Sequence, residues 1–273
     1  MTMEEGSGRA DAWDPKLYGQ FSGERSQPFF DLVALCEPVT GGRAVDLGCG
    51  SGELTAELHR RLALGQTTGL DNSSAMLAKA VRVDCPGVDF HSVDIADFGA
   101  RPADEGAYDV VLSNAALQWV ARDHREVMAQ WRWALRAGGQ IAVQVPTNAD
   151  HLSHLTAAQV AREEPFLSAF EGSPPPDPVR GVLLPEEYAQ VLYDLGFADQ
   201  HVRLQVYGHV LPSTAGVVDW VSGTSLTRFR SRLEPALYDA FLGRYRRRLL
   251  EVLGDHRPYF YAFKRILFWG RLP

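Results

Sequence analysis

Cysteine, lysine and long apolar runs are all scarce in this sequence. Its three cysteines, Cys36, Cys49 and Cys85, are widely spaced and form no Cys-x-x-Cys pair. This excludes a disulfide framework and the common zinc motifs, and it favours a reducing cytoplasm. The eight histidines show no metal-ligand spacing. We therefore expect no structural or catalytic metal.

No apolar run approaches the ~20 residues that a membrane helix needs. The first residues are acidic and polar, unlike a signal peptide. The net charge of -7 argues against a broad surface for nucleic acid or for anionic lipid. We expect a cytoplasmic protein without nucleic-acid or membrane partners, in the form of a monomer or weak dimer, acting on a small anionic substrate.

Short apolar strands and amphipathic helices alternate along the first half of the chain. Strands are predicted at 43–47, 67–71, 88–93, 108–114, 140–145, 199–211 and 258–270. Helices are predicted at 26–37, 51–63, 73–82 and 123–136, then two within 147–198, and most of 214–253. This alternation predicts an α/β, Rossmann-like fold with a seven-stranded, mostly parallel sheet, helices on both of its faces and a helical cap insertion.

The predicted domain organisation has three parts. Residues 1–12 form a flexible extension, because they are small and polar. Residues 13–146 form the cofactor-binding core with an N-terminal helix on the substrate side. Residues 147–273 supply the helical cap and the C-terminal strands that complete the same domain.

The most informative segment is the glycine-rich turn after the first strand. Gly48, Gly50 and Gly52 stand in the sequence Val-Asp-Leu-Gly-Cys-Gly-Ser-Gly, where they allow a sharp turn and close approach to a ligand. A dinucleotide fingerprint requires a third glycine where this chain has Glu53, whose carboxylate would repel a pyrophosphate. The spacing therefore favours a nucleoside cofactor without phosphates, such as S-adenosylmethionine.

Polar residues follow the next three strands. Asp71 ends the second predicted strand, with Asn72 beside it, and a carboxylate there can bind both hydroxyls of a ribose. Asp94, next to Ile95, ends the third and is suited to accept a hydrogen bond from an adenine amino group. Asn114 ends the fourth. Parallel strands bind ligands at their carboxyl ends, so we expect all of these residues in one cofactor site.

These motifs resemble class I S-adenosylmethionine-dependent methyltransferases over about residues 40–146. The glycine segment looks like their first motif, and Asp71, Asp94 and Asn114 fall at the next three. The resemblance implies that Asp46 lies near the methionine ammonium group. It also implies that the glycines contact the methionyl and ribose portions of the cofactor.

A narrower resemblance covers nearly the whole chain. The segment from Trp13 to Ser26 is similar to the N-terminal signature of the trans-aconitate 2-methyltransferase family. Further similar segments are Asn114–Trp119, Ala142–Pro146, Val218–Val221 and Ala262–Arg265. One departure is Gln27, which stands where the family tends to have arginine.

The family resemblance implies methyl transfer to one carboxylate of trans-aconitate or a similar small polycarboxylate, giving a methyl ester. Carboxylates are ionised at neutral pH, so no general base is required. Arginine suits carboxylates because its planar group binds both oxygens. Arg25 and Arg265 are therefore the candidate substrate ligands. Tyr18, Gln118 and Trp119 are candidates to close the pocket.

Several alternatives stay open at this point. Arg25 and Arg265 could form structural ion pairs, and Gln118 and Trp119 could pack a helix start. The acceptor could be another small molecule, such as a carrier-bound malonyl ester or a quinone precursor. A non-catalytic cofactor-binding module is a third possibility. A nicotinamide oxidoreductase is disfavoured by Glu53.

Overall fold

A computed structural model describes the backbone from residue 22 to residue 273, and side chains from residue 26 onward. Tyr18 and the predicted extension lie outside these described residues. The side chain of Arg25 does so as well, although its backbone belongs to the first helix.

The described residues form ten α-helices and seven strands. The helices are α1 (Ser22–Val33), α2 (Glu53–Arg61), α3 (Ser74–Ala80), α4 (His124–Trp133), α5 (Leu152–Val160), α6 (Phe166–Ala169), α7 (Pro185–Asp194), α8 (Gly216–Ser222), α9 (Thr227–Arg230) and α10 (Pro235–Leu253). The strands are β1 (Arg43–Leu47), β2 (Gln66–Asp71), β3 (Val88–Ser92), β4 (Tyr108–Asn114), β5 (Leu135–Pro146), β6 (Asp199–Leu211) and β7 (Tyr259–Arg271). Single 3-10 turns cover Pro102–Asp104, Leu117–Trp119 and Pro178–Gly181.

The strands form one sheet in the order β3-β2-β1-β4-β5-β7-β6. The pairs from β3 through β5 are parallel, and β5 pairs with β7 in the antiparallel direction. Parallel neighbours need a crossover connection, and helices between the early strands provide it. The prediction of a seven-stranded, mostly parallel sheet is confirmed.

Helices cover both faces of this sheet because alternate strand residues point in opposite directions. On one face, Val111 and Val143 belong to a buried cluster with Trp131 of α4. On the other face, Ala142 clusters with Phe29 of α1. We call this second surface the α1 face. The predicted placement of helices on both faces is thus confirmed.

Several predicted boundaries were wrong. The first helix ends at Val33 instead of residue 37, and the helix predicted to 136 ends at Trp133. Gly138 and Gly139 lie inside β5 instead of stopping that helix, because the start of β5 already pairs with β4 at Leu135. Pairing with neighbouring strands overrides the local turn signal of two glycines.

The third strand is also shorter than predicted. It ends at Ser92, which pairs with Asp71, the last residue of β2. Because β3 is an edge strand with β2 as its neighbour in the sheet, its pairing stops where β2 stops. Asp94 therefore lies two residues beyond the strand and not at its end.

The chain divides into two compact units. The sheet unit comprises 22–149, 178–209 and 260–273, and the described part of the helical unit comprises 150–177 and 210–259. Three helices, not the predicted two, occupy 147–198.

In the described part of the chain, every helix is too short or too polar to cross a bilayer.

The helical unit has its own aromatic core and a buried ionic group. The Phe241 ring lies 5.3 Å from that of Phe166 and 4.7 Å from that of Phe229, measured between centroids. Buried Asp177 contacts Arg228 at 3.2 Å and His154 at 2.7 Å. Burying these charges together satisfies groups that would be costly to bury separately.

Candidate active site

The glycine turn follows β1 with three residues in the left-handed region. The φ angles are 81° at Gly48, 55° at Gly50 and 79° at Gly52. A Cβ atom at Gly48 would lie 2.2 Å from the Cβ of Ala116, and one at Gly52 would lie 2.6 Å from the Phe90 ring. A Cβ at Gly50 would meet no atom within 4 Å. Gly48 and Gly52 are thus required by packing, whereas Gly50 leaves the backbone open to a ligand.

Asp71 connects this turn to the end of β2. Its Oδ2 accepts a hydrogen bond from the Gly50 amide at 2.9 Å, and its Oδ1 accepts one from the Ser73 amide at 2.8 Å. Ionised carboxylate oxygens each have more than one acceptor position. The half-buried side chain can therefore hold the turn and still accept hydrogen bonds from a ligand.

Asp46 is a buried carboxylate beneath the same turn. It is 3% exposed, and the Thr55 hydroxyl donates a hydrogen bond to its Oδ2 at 2.6 Å. Burial raises the pKa of Asp46 to about 6. The Thr55 bond opposes this rise, and the charge of Asp71 adds to it. A cation bound nearby would favour the ionised form.

The loops after β2 and β3 are linked by polar contacts. The Asn72 side chain donates to Asp94 Oδ2 at 3.3 Å, and Asp94 Oδ1 accepts from the Ala96 amide at 2.9 Å. Next to it, the Ile95 carbonyl accepts a hydrogen bond from the Trp131 indole at 3.0 Å. Ile95 is buried while Asp94 is exposed, so the pair presents an apolar side chain beside an acceptor.

The segment after β4 is strained and carries buried amides. Ala115 has a φ of 55°, a conformation that costs roughly 1–2 kcal/mol for a residue other than glycine. Gln118 Nε2 donates to the Ala115 carbonyl at 2.6 Å. Among the described residues, the buried Asn114 Oδ1 and Gln118 Oε1 have no hydrogen-bond partner. Trp119 is 46% exposed. The unpaired acceptors indicate a site for a ligand with hydrogen-bond donors.

Arg265 lies at the same edge of the sheet. It pairs in register with Pro146, at the carboxyl end of β5, and is 7% exposed. Its Nη1 donates to Gln144 Oε1 at 2.9 Å, and its guanidinium carbon lies 4.8 Å from the centroid of the Phe263 ring. A buried cation is thus held next to the ends of β4 and β5.

The structure brings most predicted positions to the carboxyl ends of the parallel strands or to the loops that follow them. These positions are Asp46, Gly48, Gly50, Gly52, Asp71, Asn72, Asp94, Ile95, Asn114, Gln118, Trp119 and Arg265. Gln27, the family departure, is exposed and donates to Asp31 at 2.8 Å, within its own helix.

Two residues of this region were not singled out from the sequence. A threonine in a helix has many structural uses, so the sequence does not predict a site role for Thr55. Gln144 lies within the family-like segment Ala142–Pro146, without a predicted role. Its signal was a polar residue inside an otherwise apolar strand, Ile-Ala-Val-Gln-Val.

Cys49 at the glycine turn and the metal-binding residue types can be assessed among the described residues. Burial raises the pKa of the Cys49 thiol, and the charges of Asp46 and Asp71 add to this, so the reactive thiolate is disfavoured. Across residues 26–273, no cluster of three or more histidine, cysteine or acidic side chains is arranged to hold a metal ion.

The amino-acid sequence is similar to those of known methyltransferases. A family model described as a methyltransferase domain matches residues 44–139. The trans-aconitate 2-methyltransferase of Deinococcus radiodurans is 40% identical over 262 residues, covering 96% of this chain and 98% of that protein. That of Mycobacterium tuberculosis is 36% identical over 247 residues, covering 90% and 89%. The chain belongs to the trans-aconitate 2-methyltransferase family.

The fold is that of the class I methyltransferases. A solved structure of phosphoethanolamine N-methyltransferase 2 from Haemonchus contortus, in complex with S-adenosyl-L-methionine, is 17% identical with a TM-score of 0.52. The match covers 90% of this chain and 52% of the phosphoethanolamine N-methyltransferase. The present chain thus spans about half of that larger protein. At this identity the likeness shows the fold alone.

We expect Gly48→Ala to destabilise the protein more than Gly50→Ala. Both variants force alanine into a left-handed conformation, but only the first places its methyl group against Ala116. The added overpacking costs about 1–3 kcal/mol. Urea unfolding of both variants measures the difference. The double variant Gly48→Ala with Ala116→Gly should recover part of the loss; no recovery would contradict the packing argument.

A second prediction concerns the pH dependence of Asp46. Its folded-state pKa lies above the unfolded value, so its ionisation lowers the free energy of unfolding as pH rises from about 4 to about 6. Asp46→Asn cannot ionise. Relative to wild type, the cofactor-free variant should gain about 2–3 kcal/mol between pH 4 and pH 7.

Urea unfolding at both pH values measures this gain. The exposed Asp239→Asn is the matched control, and it should follow the wild-type curve. Parallel curves for Asp46→Asn and wild type would show that burial does not govern this carboxylate.

Proposed function

We propose that this chain transfers a methyl group from S-adenosylmethionine to a carboxylate of trans-aconitate, giving a methyl ester. The observation that carries this proposal is the 40% identity to a trans-aconitate 2-methyltransferase along nearly its entire length. A buried arginine at the carboxyl ends of β4 and β5 supports it, because the substrate is a polyanion. The proposal includes a cytoplasmic location and a monomeric or weakly dimeric state.

The residues at the glycine turn fit the cofactor. Asp71 would accept from the ribose hydroxyls, and ionised Asp46 would face the methionine ammonium group. Gly50 leaves the backbone accessible, and the unpaired Asn114 Oδ1 would accept a hydrogen bond from the cofactor. When bound, the cofactor supplies an electrophilic methyl group attached to a sulfonium.

The loops after β2 and β3 are proposed to bind the adenine end of the cofactor. Asp94 would accept a hydrogen bond from the adenine amino group, and Ile95 would pack against the ring. Asn72 orients Asp94 through their mutual contact. Gly48 and Gly52 shape the turn that passes the ribose. The absence of a phosphate from the cofactor makes Glu53 harmless at the start of α2.

Substrate binding is assigned to Arg265 and Arg25, each offering a planar pair of donors to a carboxylate. Tyr18, Gln118 and Trp119 are proposed to enclose the acceptor. The resulting methyl transfer needs no general base, since the attacking carboxylate is already ionised. The protein contributes by orienting the carboxylate and by removing its water, because a hydrated carboxylate is a poor nucleophile.

The proposal predicts transfer of labelled methyl groups to trans-aconitate. Purified protein is incubated with radiolabelled S-adenosylmethionine and trans-aconitate, and base-labile methyl ester is counted. Parallel reactions contain cis-aconitate, citrate and isocitrate. Ester formation should be highest with trans-aconitate. Transfer to none of these acids, with cofactor binding intact, would reject this substrate class and leave the other small acceptors for testing.

A further prediction separates ribose binding by Asp71 from its support of the turn. Wild type should bind S-adenosylhomocysteine more tightly than its 2′-deoxy analogue, because one ribose hydroxyl is missing. Asp71→Asn keeps one carbonyl oxygen. It should weaken the binding of S-adenosylhomocysteine about tenfold or more. Calorimetry should also show that the variant no longer distinguishes the two ligands. Retained discrimination would remove Asp71 from the ribose site.

A further inference from the structure

On three neighbouring strands, the α1 face changes from apolar to polar residues near the carboxyl ends of β4 and β5. The apolar and polar members are Leu112 and Asn114 on β4, Ala142 and Gln144 on β5, and Leu267 and Arg265 on β7. Gln144 pairs in register with Asn114 and Leu267, whereas Arg265 pairs with Pro146, two residues further along β5. Residues two apart on a strand share a face. The polar members therefore form a row along the carboxyl end of the sheet.

Gln144 occupies the centre of this row. Its side chain is 0% exposed, and its Oε1 accepts from Arg265 Nη1 at 2.9 Å. Its Nε2 is also buried and has no hydrogen-bond partner among the described residues. Leaving a buried amide donor unpaired is energetically costly, so its presence requires an explanation. Because Nε2 and Oε1 share one carbon, the unpaired donor lies beside the guanidinium of Arg265.

Gln140 shows what a purely structural glutamine looks like in the same strand. It lies four residues earlier on the same face and is 2% exposed. Its Oε1 accepts from the Glu37 amide at 2.8 Å and from the Trp269 indole at 2.9 Å, while its Nε2 donates to the Glu37 carbonyl at 2.9 Å. Both ends of Gln140 are used, whereas one end of Gln144 is left for a ligand.

We propose that Gln144 is a substrate-binding residue. Its Oε1 holds the Arg265 guanidinium in place, and its Nε2 donates to the same substrate carboxylate as Arg265. This inference rests on the proposed function and deepens it, because it assigns a second, neutral donor to one carboxylate. A neutral amide beside a cation completes the hydrogen bonds of a carboxylate without adding charge to a buried row.

Gln144→Met tests this assignment, since methionine keeps the length of the side chain and removes both polar atoms. The variant should raise the KM for trans-aconitate about 10- to 100-fold, as expected for lost hydrogen bonds to a charged group. The kcat should change less, and the Kd for S-adenosylhomocysteine should stay within about twofold of wild type. In an Arg265→Ala background the same substitution should have a smaller effect, because the two side chains act on one carboxylate.

Gln140→Met is the matched control. It removes three hydrogen bonds, so it should lower the Tm while leaving the KM for trans-aconitate unchanged at low temperature. Calorimetric titration of trans-aconitate, with S-adenosylhomocysteine present, measures substrate binding directly in every variant.

The outcomes separate this inference from the proposed function. One outcome is that wild type binds and methylates trans-aconitate while Gln144→Met shows the same KM and the same Kd for this substrate. In that case the assignment of Gln144 is wrong and the proposed function stands. Equal KM increases in Gln144→Met and Gln140→Met would also reject it, as a general effect on the sheet. If wild type neither binds nor methylates trans-aconitate, the proposed function is rejected and this inference with it.

Discussion

The site depends on how the chain leaves β1. Three glycines in left-handed conformations turn the backbone away from the sheet, and Asp71 holds that turn through the Gly50 amide. The same carboxylate receives the Ser73 amide at the start of α3. One side chain thus sets the positions of two loops. The proposed ribose contact uses the remaining acceptor capacity of a group that two backbone amides already hold in place.

Charge is arranged differently on the two sides of the proposed reaction. Acidic side chains surround the glycine turn, where the proposed cofactor brings positive charge. Burial raises the pKa of Asp46, and a cation bound nearby would favour its ionised form. At the carboxyl ends of β4 and β5, and at Arg265 beside them on β7, the side chains are amides and a guanidinium. Pairing in register places Gln144 beside Asn114, and Arg265 beside Pro146 two residues further along β5. Acidic groups and a cationic group thus occupy different parts of one edge of the sheet, as the proposed cofactor and substrate require.

Much of this site was accessible from sequence because its parts are local. A glycine turn after a buried strand, or an aspartate directly after one, can be recognised within a few residues, and the structure places Asp71 and Asn114 at strand ends as predicted. The predicted place of Asp94 at a strand end is wrong because the length of an edge strand is set by its neighbour. The contact of Gln144 cannot be predicted from local sequence because its partner, Arg265, lies 121 positions away.

The sequence by itself determined the fold class, the alternation of strands and helices in the first half of the chain, the position of the glycine turn and the family. These follow from hydrophobic periodicity and short motifs, which depend on neighbouring residues. Only the tertiary structure decided which polar side chains are buried and which of their atoms stay unpaired. Gln140 and Gln144 are both glutamines of β5, and their hydrogen bonding differs because the residues that surround them come from distant segments.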